Sequence, residues 1–274
     1  MEELRKHAPH YVEAGKPYER NAISIAWEEG EVPVGGSKFG GRPDLPGDCP
    51  WPCREDGRPM SFLAQFDLAA VHPFDKEGEL PDHGLLSFFY DCDWSNDGMP
   101  WGFDPKDADG KKVFYFENEA LERREFPEAL TEGEDLVFEE APLTFSAETQ
   151  LPDPESDLIQ DADIPEEETD YLFDWMDEHQ EDGEGNQLLG HARVVQNGME
   201  LQCEAVTHGT YLGDSEGWLR DASLAKPWRL LLQLDTCEEL GMFWGDMGLL
   251  YFWIRQEDLQ AHRFDRTWGI LQCC

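Results

Sequence analysis

The chain has 274 residues, of which 60 are acidic and 21 are basic, so its formal net charge is −39. A field of this sign repels nucleic-acid phosphates and anionic lipid headgroups, which argues against both as partners and favours basic proteins. Hydrophobic residues make up 40% of the chain. That fraction is enough to build a core, so global disorder is excluded as well.

The N-terminus and the cysteines indicate a reducing compartment. Met1 is followed by charged residues, without the apolar region of a signal peptide. No apolar run is long enough to cross a bilayer. The seven cysteines are odd in number and irregularly spaced, a pattern typical of free thiols. We therefore expect a soluble cytoplasmic protein, and the sequence leaves its oligomeric state open.

The first predicted elements in chain order are a helix and a strand. The helix covers residues 2–7 and ends before Pro9, because proline disfavours helix at the preceding residue. The strand covers residues 22–27, where apolar and polar residues alternate. A loop rich in glycine and proline follows over residues 35–46.

A short pattern then occurs twice in the sequence. Its first copy has Pro59, Leu63, Gln65 and Asp67, and its second has Pro227, Leu231, Gln233 and Asp235 at the same spacing. An Asp-x-Gly-Leu-Leu block follows each copy, at residues 82–86 and 246–250. The repetition predicts an internal duplication of a strand-loop-strand unit, over about 55–120 and 187–272, within one domain spanning 1–274.

Residues 125–192, between the two predicted units, form an acidic segment. They include 23 Asp or Glu and no Lys or Arg. A loop is predicted over 150–157, and a helix from Pro165 to about residue 180, because proline and acidic residues suit the first turn of a helix. Since the charge is unevenly distributed, we favour a localised acidic surface over salt adaptation of the whole molecule.

The remaining elements are mostly strands. Two runs that are apolar on both faces predict central, covered strands at residues 85–90 and 249–254. Weaker patterns predict a hairpin arm at 113–117, short strands at 193–195 and 199–203, and a brief helical turn at 256–259. Many strands and few helices predict an α+β fold, with mostly antiparallel β-sheets and a few peripheral helices.

Several blocks of this sequence, taken in order, resemble the YwqG-like family of bacterial proteins. The matching blocks are residues 37–46, 51–52, 62–68, 84–89, 187–190, 195–196, 228–235, 244–248 and 251–253. The resemblance implies an α+β fold with an internal duplication and no known activity. Some members of that family lie near toxin–immunity loci, which implies an immunity-like role. The family has an aromatic residue or proline where this chain has His191, so a ligand contact there is not expected.

The loop at 35–46 is a candidate anion site. Backbone N–H groups of Gly40 and Gly41, with the side chains of Lys38 and Arg42, could hold a phosphate or carboxylate. The spacing of a phosphate-binding loop is absent. We favour a tight turn that needs glycine for its backbone angles.

Polar and aromatic residues of the two repeats could extend that site. They are Gln65, Asp67, Gln233, Asp235, Trp244 and Asp246. The carboxylates could perform acid–base chemistry, and the tryptophan could form the floor of a pocket. Because both copies keep the Gln/Asp pair, we favour a shared structural role for it. For the tryptophan and the aspartate beside it, we favour a packed turn.

The sequence predicts no metal and no cofactor. Residues 93–104 partly imitate a calcium-binding loop, but Pro100 disrupts it. Cys49 and Cys53 lack the second pair of ligands that a zinc site requires. Common catalytic motifs are also absent from the sequence, which favours a protein without enzymatic activity.

The predicted acidic helix supplies candidate residues for binding a partner. They are Glu166, Glu167, Asp170, Tyr171, Asp174 and Trp175. Carboxylates would attract a basic protein and aromatic rings would anchor it. The alternative, which we favour for the apolar stripe, is packing on the core. The leading hypothesis is a non-enzymatic protein that recognises a basic partner, with immunity against a cationic toxin as one version. The alternative is a small-ligand sensor or enzyme with its site around 35–46.

Overall fold

The computed structural model describes residues 2–93, 99–132, 136–179, 185–213 and 219–273. Residues 94–98, within the stretch that partly imitates a calcium-binding loop, lie outside these ranges. The strands are β1 (Arg20–Trp27), β2 (Lys38–Phe39), β3 (Asp44–Pro46), β4 (Ser61–Asp67), β5 (Leu85–Tyr90), β6 (Lys111–Phe116), β7 (Leu121–Arg123), β8 (Ala141–Gln150), β9 (Gln187–Leu189), β10 (Trp228–Asp235), β11 (Leu249–Arg255) and β12 (Trp268–Gln272). The α-helices are α1 (Glu2–His7), α2 (Pro9–Gly15), α3 (Leu68–Val71), α4 (Glu128–Thr131), α5 (Glu166–His179), α6 (Glu200–Thr207) and α7 (Gln256–Gln260).

Ten strands form one sheet in the order β12-β11-β10-β9-β1-β8-β2-β4-β5-β6, while β3 and β7 form a separate pair. All the pairings are antiparallel. Strands β1 and β8 occupy the centre. A first strand group (β2, β4, β5 and β6) lies on one side of them, and a second strand group (β9, β10, β11 and β12) lies on the other. The prediction of mostly antiparallel sheet with some helices is confirmed.

The two strand groups contain the same irregularity. The register between β4 and β5 shifts at Leu63, and the register between β10 and β11 shifts at Leu231. An extra residue of this kind is a β-bulge, which bends its strand and increases the local twist. Each bulge lies two residues before the glutamine of its repeat.

One hydrophobic core draws on both strand groups. Phe66 and Phe88 of the first group and Leu234 and Phe252 of the second are fully buried in the same cluster. The rings of Phe88 and Phe252 meet edge to face, with centroids 5.0 Å apart. All six residues of β5 and the first six of β11 are buried, as their continuous apolar sequence predicts.

Three local predictions are corrected by the structure. The loop predicted at 35–46 contains β2 and β3. The strand predicted at 193–195 is wrong, because the N–H groups of Arg193 and Val194 donate to the side chains of Gln233 and Asp153 (2.9 and 3.0 Å) instead of a neighbouring strand.

The strand predicted at 199–203 is wrong too, because that stretch begins helix α6. Met199, Cys203 and Val206 recur at helical spacing and share a hydrophobic cluster with Trp228. In the described parts of the chain, no helix combines the length and apolar character needed to cross a bilayer.

Candidate functional site

A cleft of about 830 Å³ lies over the central strands. Its floor includes Ser24 and Ala26 from β1 and Thr144, Ser146 and Glu148 from β8. These residues share one face of the sheet because alternate residues of a strand point the same way, and Ala26 pairs with Thr144 as Ser24 pairs with Ser146. The floor is therefore made largely of small and polar side chains.

The walls of the cleft come from three other parts of the chain. They include Leu4 and Tyr11 of the N-terminal helices, Trp175 and Met176 of α5, and Gln187 and Gln233 of the second strand group, with Arg193 from the loop after β9. Residues far apart in sequence thus meet around one opening. A volume of this size falls within the usual range for ligand sites in proteins.

Carboxylates outnumber cationic side chains in the lining that the structure describes. Glu148, Asp153 and Glu239 line the cleft, as does Arg193. The Arg193 guanidinium lies 3.3 Å from the carboxylate of Asp235, which partly offsets its charge. Burial raises the pKa of Asp153 to about 6, so this group is mostly ionised only above that pH. Near neutral pH the lining therefore has an excess of negative charge.

Glu148 is exposed but held in position on the floor. Its Oε1 atom accepts hydrogen bonds from Ser24 Oγ and Gln150 Nε2, both at 2.8 Å. The remaining carboxylate oxygen can accept a bond from a cationic or N–H group of a ligand.

Lys38, a candidate for the anion site, is fully buried. Its ammonium donates to the carbonyl of Arg42 and to Glu140 Oε2, the latter at 2.7 Å. Burial lowers the pKa of Lys38, and the hydrogen bond to Glu140 opposes this change. The Arg42 guanidinium pairs with Glu125 at the surface. In this structure, both cations thus have carboxylate partners within the chain.

Gly40 and Gly41 place the loop against β4 and against the segment that precedes β8. Both have positive φ angles, +53° and +65°, and their N–H groups donate to the carbonyls of Leu63 and Phe138 at 2.9 Å. A Cβ atom on Gly40 would lie 2.1 Å from the carbonyl oxygen of Glu139. These glycines therefore permit a close backbone approach.

In the first strand group, the Gln/Asp pair binds backbone. Gln65 Nε2 donates to Gly36 O at 2.8 Å, and Gln65 Oε1 accepts from Asp44 N at 2.9 Å. Asp67 begins helix α3, where its carboxylate accepts from Ala69 N at 3.0 Å.

In the second strand group, Gln233 makes matching contacts. Its Nε2 atom donates to Gly185 O at 2.6 Å, and its Oε1 atom accepts from Arg193 N at 2.9 Å. Asp235 accepts from Gly185 N (3.1 Å) and from Thr236 N (2.8 Å). The two glutamines thus share these two backbone bonds, while Gln65 Nε2 also donates to Asp44 Oδ2 at 2.7 Å. Only Gln233 lines the cleft described above.

Trp244 and Asp246 belong to a turn after β10. Trp244 is fully buried, its Nε1 atom donates to Asp235 O at 3.0 Å, and its ring meets Phe138 edge to face. Asp246 is exposed. Neither residue lines the cleft over the central strands. The structure therefore does not bring the predicted ligand residues together in that cleft.

Helix α5 divides the predicted partner-binding residues between two environments. Its exposed residues include Glu166, Glu167, Asp170 and Asp174. Tyr171 and Trp175 are half-buried and pack with the N-terminal helices, where Tyr171 stacks on His7 at 5.0 Å. The aromatic stripe therefore faces the protein, as the packing interpretation predicts. Trp175 also lines the cleft.

Strand β8, which forms part of the floor of the cleft, was not predicted from the sequence. It lies inside the acidic segment, just before the loop predicted at 150–157. Its signal is the alternation of Leu143, Phe145 and Ala147 with polar residues. Among the residues that the structure describes, no cluster of three or more His, Cys, Asp or Glu side chains could hold a metal ion.

The thiol in the lining of the cleft is a weak nucleophile. Cys237 is among the residues that line the cleft, and its side chain is a thiol. Burial raises the pKa of Cys237, so the thiol stays protonated and weakly nucleophilic. The exposed carboxylate on the floor and the acidic helix at the wall suit a cationic ligand.

Comparison with known protein families places the chain in one of them. It belongs to the family described as a domain of unknown function (DUF1963), whose model matches residues 37–273. No curated protein matches the sequence. The matched range begins just before β2, so α1, α2 and β1, which contribute to the cleft, lie outside it.

Proposed function

We propose that this member of the DUF1963 family binds a basic segment of a partner protein in the cleft over β1 and β8, without catalysing a reaction. The main support is the position of α5. Its residues Trp175 and Met176 form part of the cleft wall, while Asp170 and Asp174 of the same helix are exposed. The long-range field of these carboxylates would draw a basic chain toward the cleft, where Glu148 lies exposed on the floor.

The class of partner follows from charge. The acidic segment at 125–192 has 23 Asp or Glu and no Lys or Arg, and the pairing of Glu125 and Glu140 with Arg42 and Lys38 offsets only part of this charge. A cationic toxin, with this chain as its immunity protein, is one partner of the required kind. The resemblance to the YwqG-like family supports that version of the proposal.

We also propose that the two strand groups arose by duplication. The support is the equivalent bulges at Leu63 and Leu231 and the matching bonds of Gln65 and Gln233. On this proposal, the Gln/Asp pair is scaffold inherited by both copies.

Binding can be tested with two synthetic octapeptides, one alternating Lys and Val and one alternating Glu and Val. We expect calorimetry at low salt to detect binding of the Lys-Val peptide alone. Replacing Asp170 and Asp174 with lysine should lower the affinity for the Lys-Val peptide at least about tenfold, equal to about 1.4 kcal/mol.

The matched control reverses Glu128 and Glu132, two exposed acids elsewhere in the same segment. It changes the net charge equally and should leave affinity within about threefold of the wild type, since screening weakens distant charges. Binding of both peptides, or equal losses in the two double variants, would overturn the proposal.

A further inference from the structure

Strand β8 has a partner along the whole of one edge and along only part of the other. It pairs with β1 over residues 143–150, but it pairs with β2 only at Ala141 and Pro142. Beyond Pro142, no strand in the described ranges pairs with the edge that faces away from β1. A long stretch of free strand edge therefore lies beside the cleft.

The backbone groups on this free edge can be identified from the register. The N–H of Leu143 donates to Ser37 O at 3.3 Å, on the side away from β1. Because backbone groups of alternate residues point to the same side of a strand, those of Phe145, Ala147 and Thr149 also point away from β1. Phe145 and Thr149 are among the residues that line the cleft.

The free edge is accessible. Residues 146–149 are all exposed. On the core side, the ring of Phe74 packs against that of Phe145, with centroids 6.1 Å apart. The 3₁₀ helix that carries Phe74 (His72–Phe74) thus contacts the strand, but it forms no strand pairing with it. Natural proteins often protect such edges with lysine or proline, and residues 143–150 contain neither.

We infer that the basic partner binds as an extended segment that adds a strand to the free edge of β8. This inference rests on the proposed function and specifies its geometry. Three residues with two backbone groups each could form up to six main-chain hydrogen bonds over about 15–20 Å of strand. Glu148 is the one charged residue of β8 and is exposed, so it favours a lysine or arginine on the added segment.

The test uses the Lys-Val octapeptide and hydrogen exchange of the intact protein followed by NMR. In the free protein, the amides of Ala147 and Thr149 should exchange fast, whereas those of Ser146 and Glu148, which face β1, should be slow. Saturating peptide should slow the first pair at least about tenfold.

The variant Ala147→Pro removes one N–H from the free edge and leaves the bonds to β1 in place. It should weaken peptide binding at least about fivefold. The matched control Ala147→Gly keeps the N–H and should bind within about twofold of the wild type. Circular dichroism checks that both variants fold, and exchange in the wild-type protein decides the question should Ala147→Pro fail to fold.

The outcomes separate the two proposals. Tight Lys-Val binding without protection of Ala147 and Thr149 would overturn strand addition and leave the basic partner standing. Equal protection by a Thr-Val octapeptide would support strand addition and overturn the preference for basic ligands. Protection that rises with protein concentration, without peptide, would assign the edge to a second copy of the chain and overturn the inference. If neither the Lys-Val nor the Thr-Val octapeptide bound, both proposals would be overturned.

Discussion

Several carboxylates of this acidic protein are removed from water. Asp157 accepts a hydrogen bond from Leu201 N at 2.8 Å, close to the buried Glu200 at the start of α6. Burial, followed by the negative charge of Glu200, raises the pKa of Asp157 to about 7. The ordinary pKa of an aspartate is about 3.9. Between about pH 4 and pH 7, Asp157 is therefore protonated in the folded protein and ionised in the unfolded chain.

The stability contribution of Asp157 is therefore fully present below about pH 4 and is lost as pH rises through about 7. In Asp157→Asn, the amide oxygen can still accept the bond from Leu201, and no carboxylate has to be buried. We expect this variant to be more stable than the wild type at pH 8 by about 1–2 kcal/mol, and to differ little at pH 4. Urea unfolding across this range measures the difference.

The same substitution at the exposed Asp161 is the control and should leave the pH profile unchanged. Parallel profiles for the wild type and Asp157→Asn would contradict the assignment.

The N-terminal helices are attached to the rest of the fold by a carboxylate of α5. The buried side chain of Glu168 accepts hydrogen bonds from the N–H groups of His10 and Tyr11 (2.9 and 3.3 Å), in the first turn of α2. It also bonds to the imidazole of His10, and this bond raises the pKa of His10. A negative group at this end of a helix is stabilising.

Glu168→Gln should lower the pKa of His10 toward its ordinary value, which NMR titration can measure. The wild-type ion pair stabilises the fold below the ordinary histidine pKa, and this contribution is lost as pH rises through the higher folded value. The variant should therefore lose more stability at pH 5 than at pH 8, with a capping loss of about 1 kcal/mol common to both.

Glu167→Gln, at an exposed neighbour, provides the comparison and should leave the pKa of His10 nearly unchanged. An unaltered His10 titration in Glu168→Gln would show that this carboxylate does not control the imidazole.

Elements with a strong local pattern were predictable. Helix α5 follows from Pro165, three acids in its first turn and an apolar stripe, and β5 follows from six consecutive residues that suit burial. Strand β8 was not predictable, because much of it is exposed and it lies among acidic residues. The burial of Lys38 was not predictable either, since it depends on the ion pair with Glu140, which is 102 residues away in the sequence.

At the scale of the whole molecule, the site could not be read from the sequence. The cleft combines side chains of α1, α2, β1, β8, α5 and the second strand group, and no local pattern reports that they meet. The repeat did indicate two similar strand arrangements. It gave no sign that β1 and β8 lie between them, or that both groups share one core.

The shared core predicts a single unfolding transition. Phe252→Ala removes a ring that packs against both Phe88 and Tyr90 of the other strand group, and we expect a loss of about 3–5 kcal/mol. Tryptophan fluorescence and far-UV circular dichroism should give coincident transitions in the wild type and the variant.

Phe173→Ala, at an exposed phenylalanine of α5, is the control and should change stability by less than about 0.5 kcal/mol. Separate transitions for the two optical signals would mean that the strand groups unfold independently.

The place of β1 in the sheet bears on where the folding unit of this family begins. Strand β1 joins β9 to β8, yet it precedes the residues that the family model covers. A gene trimmed to residues 37–273 would encode two sheet fragments without β1 between them, so β8 and β9 would each have a newly unpaired edge prone to aggregation. Insolubility of such a truncated product would then result from the missing strand and not from a defect in the residues that it retains.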